Sequence, residues 1–342
     1  MLIVNCIPED RGWTPIQYMV SMAAQMLEAQ VLVLDHSMPS RITQARSILT
    51  RRDQNAGDEI CLMVCPGPGD LLKILQVGEW RSRFKFIAAW IIDSFWTSHI
   101  SAVVRFANPF DQILVTSVED VALWKSITGV PTSWLPWGAD VLGCGRMTAE
   151  REWDLTRVGR QPPQWTDDPE TSQAARSLGI KFRGRPDSEG LTTLENHRFL
   201  ADVYGASKYI LAFSNSVNPE KYTHPTRQYL TGRWVDSLGC GATVAGIRPR
   251  SDTADELLWP GATLEFPSIQ RHEGLEILAA ALASWNPGIA AGHYRMALQR
   301  LDWRWRFNTL AALFRINPRA LADELVRLRK QITSLEHSGA VQ

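Results

Sequence analysis

The chain has no excess of either charge: Lys plus Arg and Asp plus Glu both number 36 in 342 residues, a formal net charge of zero. Nucleic acid and anionic lipid surfaces therefore find no bulk electrostatic pull, and no nucleic-acid partner is expected. Cysteine is scarce. The five present, at 6, 61, 65, 144 and 240, are odd in number and form neither a CxxC pair nor a Cys/His cluster. That pattern speaks against a disulfide framework or a zinc site and fits reduced, buried thiols in a cytoplasmic protein. Apolar runs fall short of the roughly 18 residues of a membrane span. The opening MLIVNCIPEDRG has no basic segment before its apolar run, so no signal peptide is expected. The signatures HExxH, GxSxG and GxGxxG are missing, as is the GK[ST] ending of a P-loop. Zinc peptidase, serine hydrolase and NAD-dependent chemistries lose their support with them. The glycine-rich CPGPGD (65–70) then reads as a strand–helix turn with Asp70 as N-cap. No DxD carboxylate pair stands out to hold a divalent cation, so neither a metal nor a bound cofactor is expected.

What the sequence does hold is alternation. Predicted strands over 2–7, 31–35, 60–65, 84–92, 112–116 and 131–136 are separated by predicted helices over 16–30, 42–52, 71–76, 98–106 and 118–127. The stretch 84–92 is apolar with almost no alternation, as in a strand buried on both faces. A second series follows a glycine-containing linker at 142–150. Its predicted strands are 153–158, 180–183, 209–213 and 242–245, and its helices 170–178, 191–204 and 226–239. Helices over 275–285, 293–314 and 318–335 close the chain. This order predicts an α/β protein with two Rossmann-like, doubly wound parallel-sheet domains facing across a cleft. The expected division is a domain over 1–145, a second over 146–290, and helices over 291–342 packing across both. Ligands in such folds bind at the carboxyl ends of the strands.

Candidate functional residues fall at those ends. Asp93 ends the buried strand 84–92, where a carboxylate can act as a general base on an acceptor hydroxyl or cap the strand–helix loop. Arg160 closes the first strand of the second series, placed to bind a diphosphate by bidentate hydrogen bonds. Ser214 and Asn215 end the inner strand AFSNS with short polar groups. In TRQYLTGRWVDSLGCGATVAG (226–246), Leu230, Trp234 and Leu238 form an apolar stripe. Arg233 and Asp236, three apart, project from another face, with Arg227 nearby. Gly239 and Gly241 end the helix in a left-handed cap. A cation and a carboxylate beside a glycine turn suit a ligand with a phosphate and a sugar diol, whereas a surface ion pair would explain them equally well.

The segments WDLTRVGR, NHRFLADVYGASKYILAFSNSVN and LTGRWVDSLGCGATVAGIRP together resemble the donor-binding half of bacterial glycosyltransferases of the two-Rossmann GT-B fold, commonly grouped as family 1. HYRMALQRLDWRWRFNTLAALF is similar to the closing helices of that family, the last of which crosses back to the first domain. The resemblance implies a metal-independent, hexosyltransferase-like enzyme that uses a nucleotide-diphosphate sugar. Asp236 falls where the family has the glutamate that binds the ribose hydroxyls, Arg233 on the arginine before it, and Arg160 on the cation implied to contact the donor phosphates. Three departures stand out: Asp for Glu at 236, no lysine within 161–165, and Gln228 where retaining members carry a second acid. Retaining chemistry and inverting chemistry with Asp93 as base are both left open. The implied partners are the sugar donor and a glycan, lipid-linked or small-molecule acceptor. The implied setting is cytoplasmic, with the basic, Trp-rich LDWRWRF (301–307) able to touch the inner face of a membrane, although helix packing explains that segment better. The alternatives are an epimerase of nucleotide sugars on the same fold and a non-catalytic nucleotide- or sugar-binding subunit of a glycan assembly complex.

Overall fold

In the computed structural model, residues 1–342 are described except 10, 36, 50–56, 147, 221–222 and 340–342. The chain divides into two compact units, Met1–Pro136 with Arg306–Glu324, and Trp137–Trp305 with Leu325–Gln342.

In the first unit the elements are β1 (Leu2–Asn5), α1 (Thr14–Met26), β2 (Gln30–Val33), α2 (Arg41–Leu49), β3 (Glu59–Cys65), α3 (Trp80–Arg83), β4 (Phe84–Ile91), α4 (Ala102–Ala107), β5 (Gln112–Val115), α5 (Val121–Thr128) and β6 (Thr132–Trp134). They form one parallel sheet in the order β2-β1-β3-β4-β5-β6. Central β3 and β4 are covered on both faces, which is why Leu62, Met63, Ala88 and Ile91 are fully buried and their stretches read as unbroken apolar runs. Edge strand β2 keeps Val31, Leu32 and Val33 exposed.

Several local expectations are corrected. The segment expected as a helix over 71–76 is a 3₁₀ stretch, Pro68–Gln76, with Gly67 rather than Asp70 at its N-cap. Asp70 instead pairs at 2.8 Å with Lys73, whose side chain is buried. An unpaired buried ammonium costs more than a lost cap, so the carboxylate goes to the lysine. The helix expected over 98–106 splits into a 3₁₀ turn, Thr97–His99, and α4, because the Ser101 hydroxyl caps a new start by accepting from the Val103 N–H. Positions 50–52 of the helix expected over 42–52 lie outside the described residues.

The second unit contains α6 (Val141–Cys144), β7 (Trp153–Arg157), α7 (Asp168–Ser177), β8 (Phe182–Arg183), α8 (Thr193–Gly205), β9 (Ser207–Phe213), α9 (Gly232–Gly239), β10 (Thr243–Ile247), α10 (Asp252–Leu257), β11 (Thr263–Glu265), α11 (Arg271–Leu282) and α12 (Pro287–Arg300). Its parallel sheet runs β11-β10-β9-β7-β8. Trp165 stacks on Phe266 at 5.8 Å in a core with Leu155, Leu211 and Leu278. The helix expected over 293–314 is two, α12 and α13 (Trp303–Phe314), followed by α14 (Arg319–Gly339). A buried ion cluster breaks it. Asp302 accepts from the backbone N–H groups of Leu142 (2.8 Å) and Arg304 (2.9 Å), and the Arg304 guanidinium reaches both Asp302 (3.1 Å) and Asp140 (2.8 Å). By accepting the Arg304 N–H two residues on, Asp302 caps the start of α13 instead of sitting inside one continuous helix. All five cysteines are buried and free. No described helix is long and apolar enough to cross a membrane.

Candidate functional site

At the carboxyl end of β7 the chain passes through Val158 to Gly159, whose φ of +67° is the left-handed conformation. Glycine is needed there twice over, since a Cβ would also collide with the Arg233 guanidinium. Arg157, the last residue of β7, is neutralised by a two-point pair with Asp168, both contacts at 2.6 Å. Arg160 is instead partly exposed, with Glu220 at 3.9 Å.

Arg233 comes from the first turn of α9 and donates to the Arg160 carbonyl at 3.2 Å. Burial lowers its pKa first of all, and the nearby cations Arg160, Arg157 and Arg185 push the same way. With Arg157 already paired to Asp168, Arg160 and Arg233 are the cations nearest this strand end, and their charge attracts anions. The α9 N-terminus adds to this. Thr231 stands at the N-cap without a side-chain hydrogen bond and no acid lies in the first turn, so the helix dipole there is not offset by a side chain, although the Trp234 N–H is taken by the Thr231 carbonyl at 3.1 Å. A cavity of about 90 Å³ opens here, lined among others by Arg160, Ser214, Asn215, Tyr229, Thr231 and Arg233. That is room for a phosphate group rather than a whole nucleotide, since whole-ligand sites run to several hundred Å³.

Asp236 lies on α9 three residues beyond Arg233. The two do not pair, and the Asp236 carboxylate has neither a hydrogen bond nor an ion pair among the described residues. Burial, then the charge of Asp140, pushes its pKa up to about 8. It keeps some exposed surface, so it is a desolvated acceptor still open to a ligand.

The other residues behave differently from their sequence reading. α9 starts at Gly232, not near 226, so Arg227 and Leu230 precede it rather than ride on it. The cause is Asn215, which donates to the Arg227 carbonyl (2.8 Å) and accepts from the Tyr229 N–H (3.2 Å), holding 227–229 against the end of β9. Ser214 is buried and donates to Gln228 Oε1 at 2.9 Å, and the same oxygen accepts from the Arg250 N–H at 2.8 Å. Ser214, Asn215 and Gln228 thus shape the loop, though the first two also line the cavity. Arg227 and Asp236 are not among the cavity's lining residues. At the helix end, Gly241 takes the left-handed conformation at φ +77° and Cys240 is the C-cap. Tyr229 and Thr231 line the cavity without having been singled out from the sequence. Their only signal was proximity to Arg233.

Asp93 belongs to the first unit, two residues past β4. Its backbone N–H donates to the Pro66 carbonyl at 2.9 Å, while its carboxylate has no partner among the described residues. Burial alone lifts its pKa to about 7. The structural work of the loop falls to its neighbour. Ser94 donates to Asp120 at 2.8 Å, and the Trp124 indole donates to the Ser94 carbonyl at 2.8 Å.

Comparison with solved structures bears on the fold. Anabaena HepE, crystallised with UDP-glucose, superimposes with a TM-score of 0.56 at 13% identity, covering 92% of this chain and 98% of that one. A glycosyltransferase from Rickettsia africae ESF-5 gives a TM-score of 0.55 at 7% identity, covering 92% of this chain and 97% of that one. The chain has the GT-B fold. No family model matches the sequence, and no curated protein matches it.

Proposed function

We propose that the protein is a glycosyltransferase that moves a sugar from a nucleoside-diphosphate sugar to a hydroxyl of a glycan, lipid-linked or small-molecule acceptor. The observation that carries this reading is the convergence of Arg160 and Arg233 on the uncapped start of α9, with the unpartnered Asp236 further along the same helix. Cations and a helix dipole suit a diphosphate, and the unpartnered Asp236 carboxyl, able to accept and, while it keeps its proton, to donate, suits a ribose diol. The GT-B fold supports the reading, because in open α/β sheets the ligand lies at the carboxyl ends of the strands.

In this proposal the arginines and the helix dipole stabilise charge on the departing nucleoside diphosphate, and no divalent metal is required. Asp93 is the base that takes the proton of the acceptor hydroxyl. A carboxylate near pH 7 in its affinity for protons accepts one far more readily than an ordinary aspartate.

Thermal-shift screening against nucleotides and nucleotide sugars, beginning with UDP and UDP-glucose, tests the donor site, since a ligand of the folded state raises its stability. The decisive variant is Asp236→Ala. Losing two hydrogen bonds to a carboxylate should weaken nucleoside diphosphate binding about tenfold or more by calorimetry. Melting temperature should hold or rise, because the carboxylate it removes is desolvated and unpartnered. Equal affinity in the variant removes the ribose role.

A further inference from the structure

The donor-site residues lie at the carboxyl ends of β7 and β9. The opposite edge of the same sheet has a cavity of its own. It opens beside Tyr209, Thr243 and Thr263, near the amino ends of β9, β10 and β11, and is closed by α12. At about 450 Å³ it falls within the size range of small-molecule sites. Trp259, Leu264, Ile289 and Met296 supply an apolar wall.

Three features of this cavity are unexplained by packing. Gly292 is an interior residue of α12, where glycine weakens a helix relative to alanine. Its φ is not in the left-handed region, and a Cβ there would meet nothing within 4 Å. Neither conformation nor crowding asks for glycine, and what its missing side chain does is leave the cavity open. The Thr263 hydroxyl on the lining is buried without a hydrogen-bond partner. Arg295 is exposed at the rim, has no ion pair or hydrogen bond among the described residues, and faces a lining that contains no acidic residue.

His293 adds no second charge. The Trp259 indole donates to its Nδ1 at 3.1 Å, so Nε2 must carry the proton and donate to Thr243 Oγ1 at 2.9 Å. Burial lowers the ring's pKa to about 4 and keeps it neutral at physiological pH. One cation at the mouth of an apolar cavity complements a ligand with an apolar body and a single anionic head.

We propose that this cavity binds a small amphipathic carboxylate, its apolar body against Trp259, Leu264, Ile289 and Met296 and its head at Arg295. The site is separate from the donor pocket and does not depend on the glycosyltransferase reading. Calorimetric titration of the full-length protein with submicellar sodium decanoate, and with decyltrimethylammonium as the opposite-charge control, tests it. Decanoate should bind saturably at one site, about tenfold more tightly than the cation. Arg295→Gln, a surface change that leaves the fold alone, should weaken decanoate by a similar factor and erase the preference. Gly292→Phe, checked for folding by circular dichroism, should abolish binding by filling the cavity. Failure of decanoate to bind saturably overturns the proposal. So does saturable binding that survives unchanged in Arg295→Gln or in folded Gly292→Phe.

Discussion

Asp93 and Asp236 are the same chemical group in the same predicament. Each is desolvated and unpartnered among the described residues, and burial holds the proton on to about pH 7 for Asp93 and about pH 8 for Asp236. Structural aspartates in this chain look different: Asp168 takes Arg157, and Asp302 takes Arg304. If Asp93 is the base, kcat/KM should climb as pH rises through about 7 and then level off, because the ionised form is the active one. Asp93→Asn should lose that limb and about two to four orders of magnitude in kcat, with nucleotide binding retained. Turnover equal to wild type in a pH-rate comparison removes Asp93 from the mechanism. The placement of these two carboxylates, one just past a strand and one on a helix, was legible in the sequence because strand ends and helix faces can be read from spacing. Ser214 and Asn215 were less so. A short polar side chain at a strand end looks the same in sequence whether it turns to a ligand or clamps a neighbouring loop, and here both clamp 227–229.

Among the elements, most strands followed from apolar runs, though the short edge strand β11 and the helix α10 before it did not, while helix boundaries followed from polar contacts that periodicity does not encode. The start of α9 moved to Gly232 because Asn215 holds the backbone of 227–229 by two hydrogen bonds. The division between α12 and α13 came from Asp140, Asp302 and Arg304, three residues with no signature in common and up to 164 positions apart. That cluster is also a point of vulnerability. Arg304→Met would leave two buried carboxylates without their shared cation, at a cost of roughly 3–5 kcal/mol. Chemical denaturation should report the loss as a lower midpoint. A change below about 1 kcal/mol would mean that the cluster is better solvated than its burial indicates.

For the whole molecule, buried titratable groups set a pH profile of stability: Asp93, Asp236, His197 and His293, with Asp302, also raised by burial, adding to the side of the aspartates. Asp93 and Asp236 have folded pKa values above the unfolded one, so the stability they contribute is present below pH 4 and lost as pH rises through about 7 and 8. His197 and His293, lowered to about 4 by burial, work in the opposite direction. Their contribution is present above pH 6.5 and lost as pH falls toward 4. Between about pH 4 and 6.5 the two sets offset each other, and above that only the aspartates still titrate. Stability should therefore change little, or fall gently, from pH 4.5 to 6.5 and decline more clearly from 6.5 to about 8, as read from melting temperatures across that series. A steady rise to pH 8.5 contradicts the burial of the two carboxylates. Asp236→Ala should flatten part of the decline.

The passage of Arg306–Glu324 into the first unit imposes an order of events on synthesis. Phe314 packs edge-on against Phe86, with ring centres 5.9 Å apart, and the Ala320 N–H donates to Glu28 at 3.1 Å. A growing chain presents Phe86 and Glu28 long before either of those partners has left the ribosome. The first sheet must therefore persist with part of its surface uncovered while the entire second unit is made. The segment that covers it arrives only after residue 305, and a nascent protein interrupted before that point leaves Phe86 without Phe314.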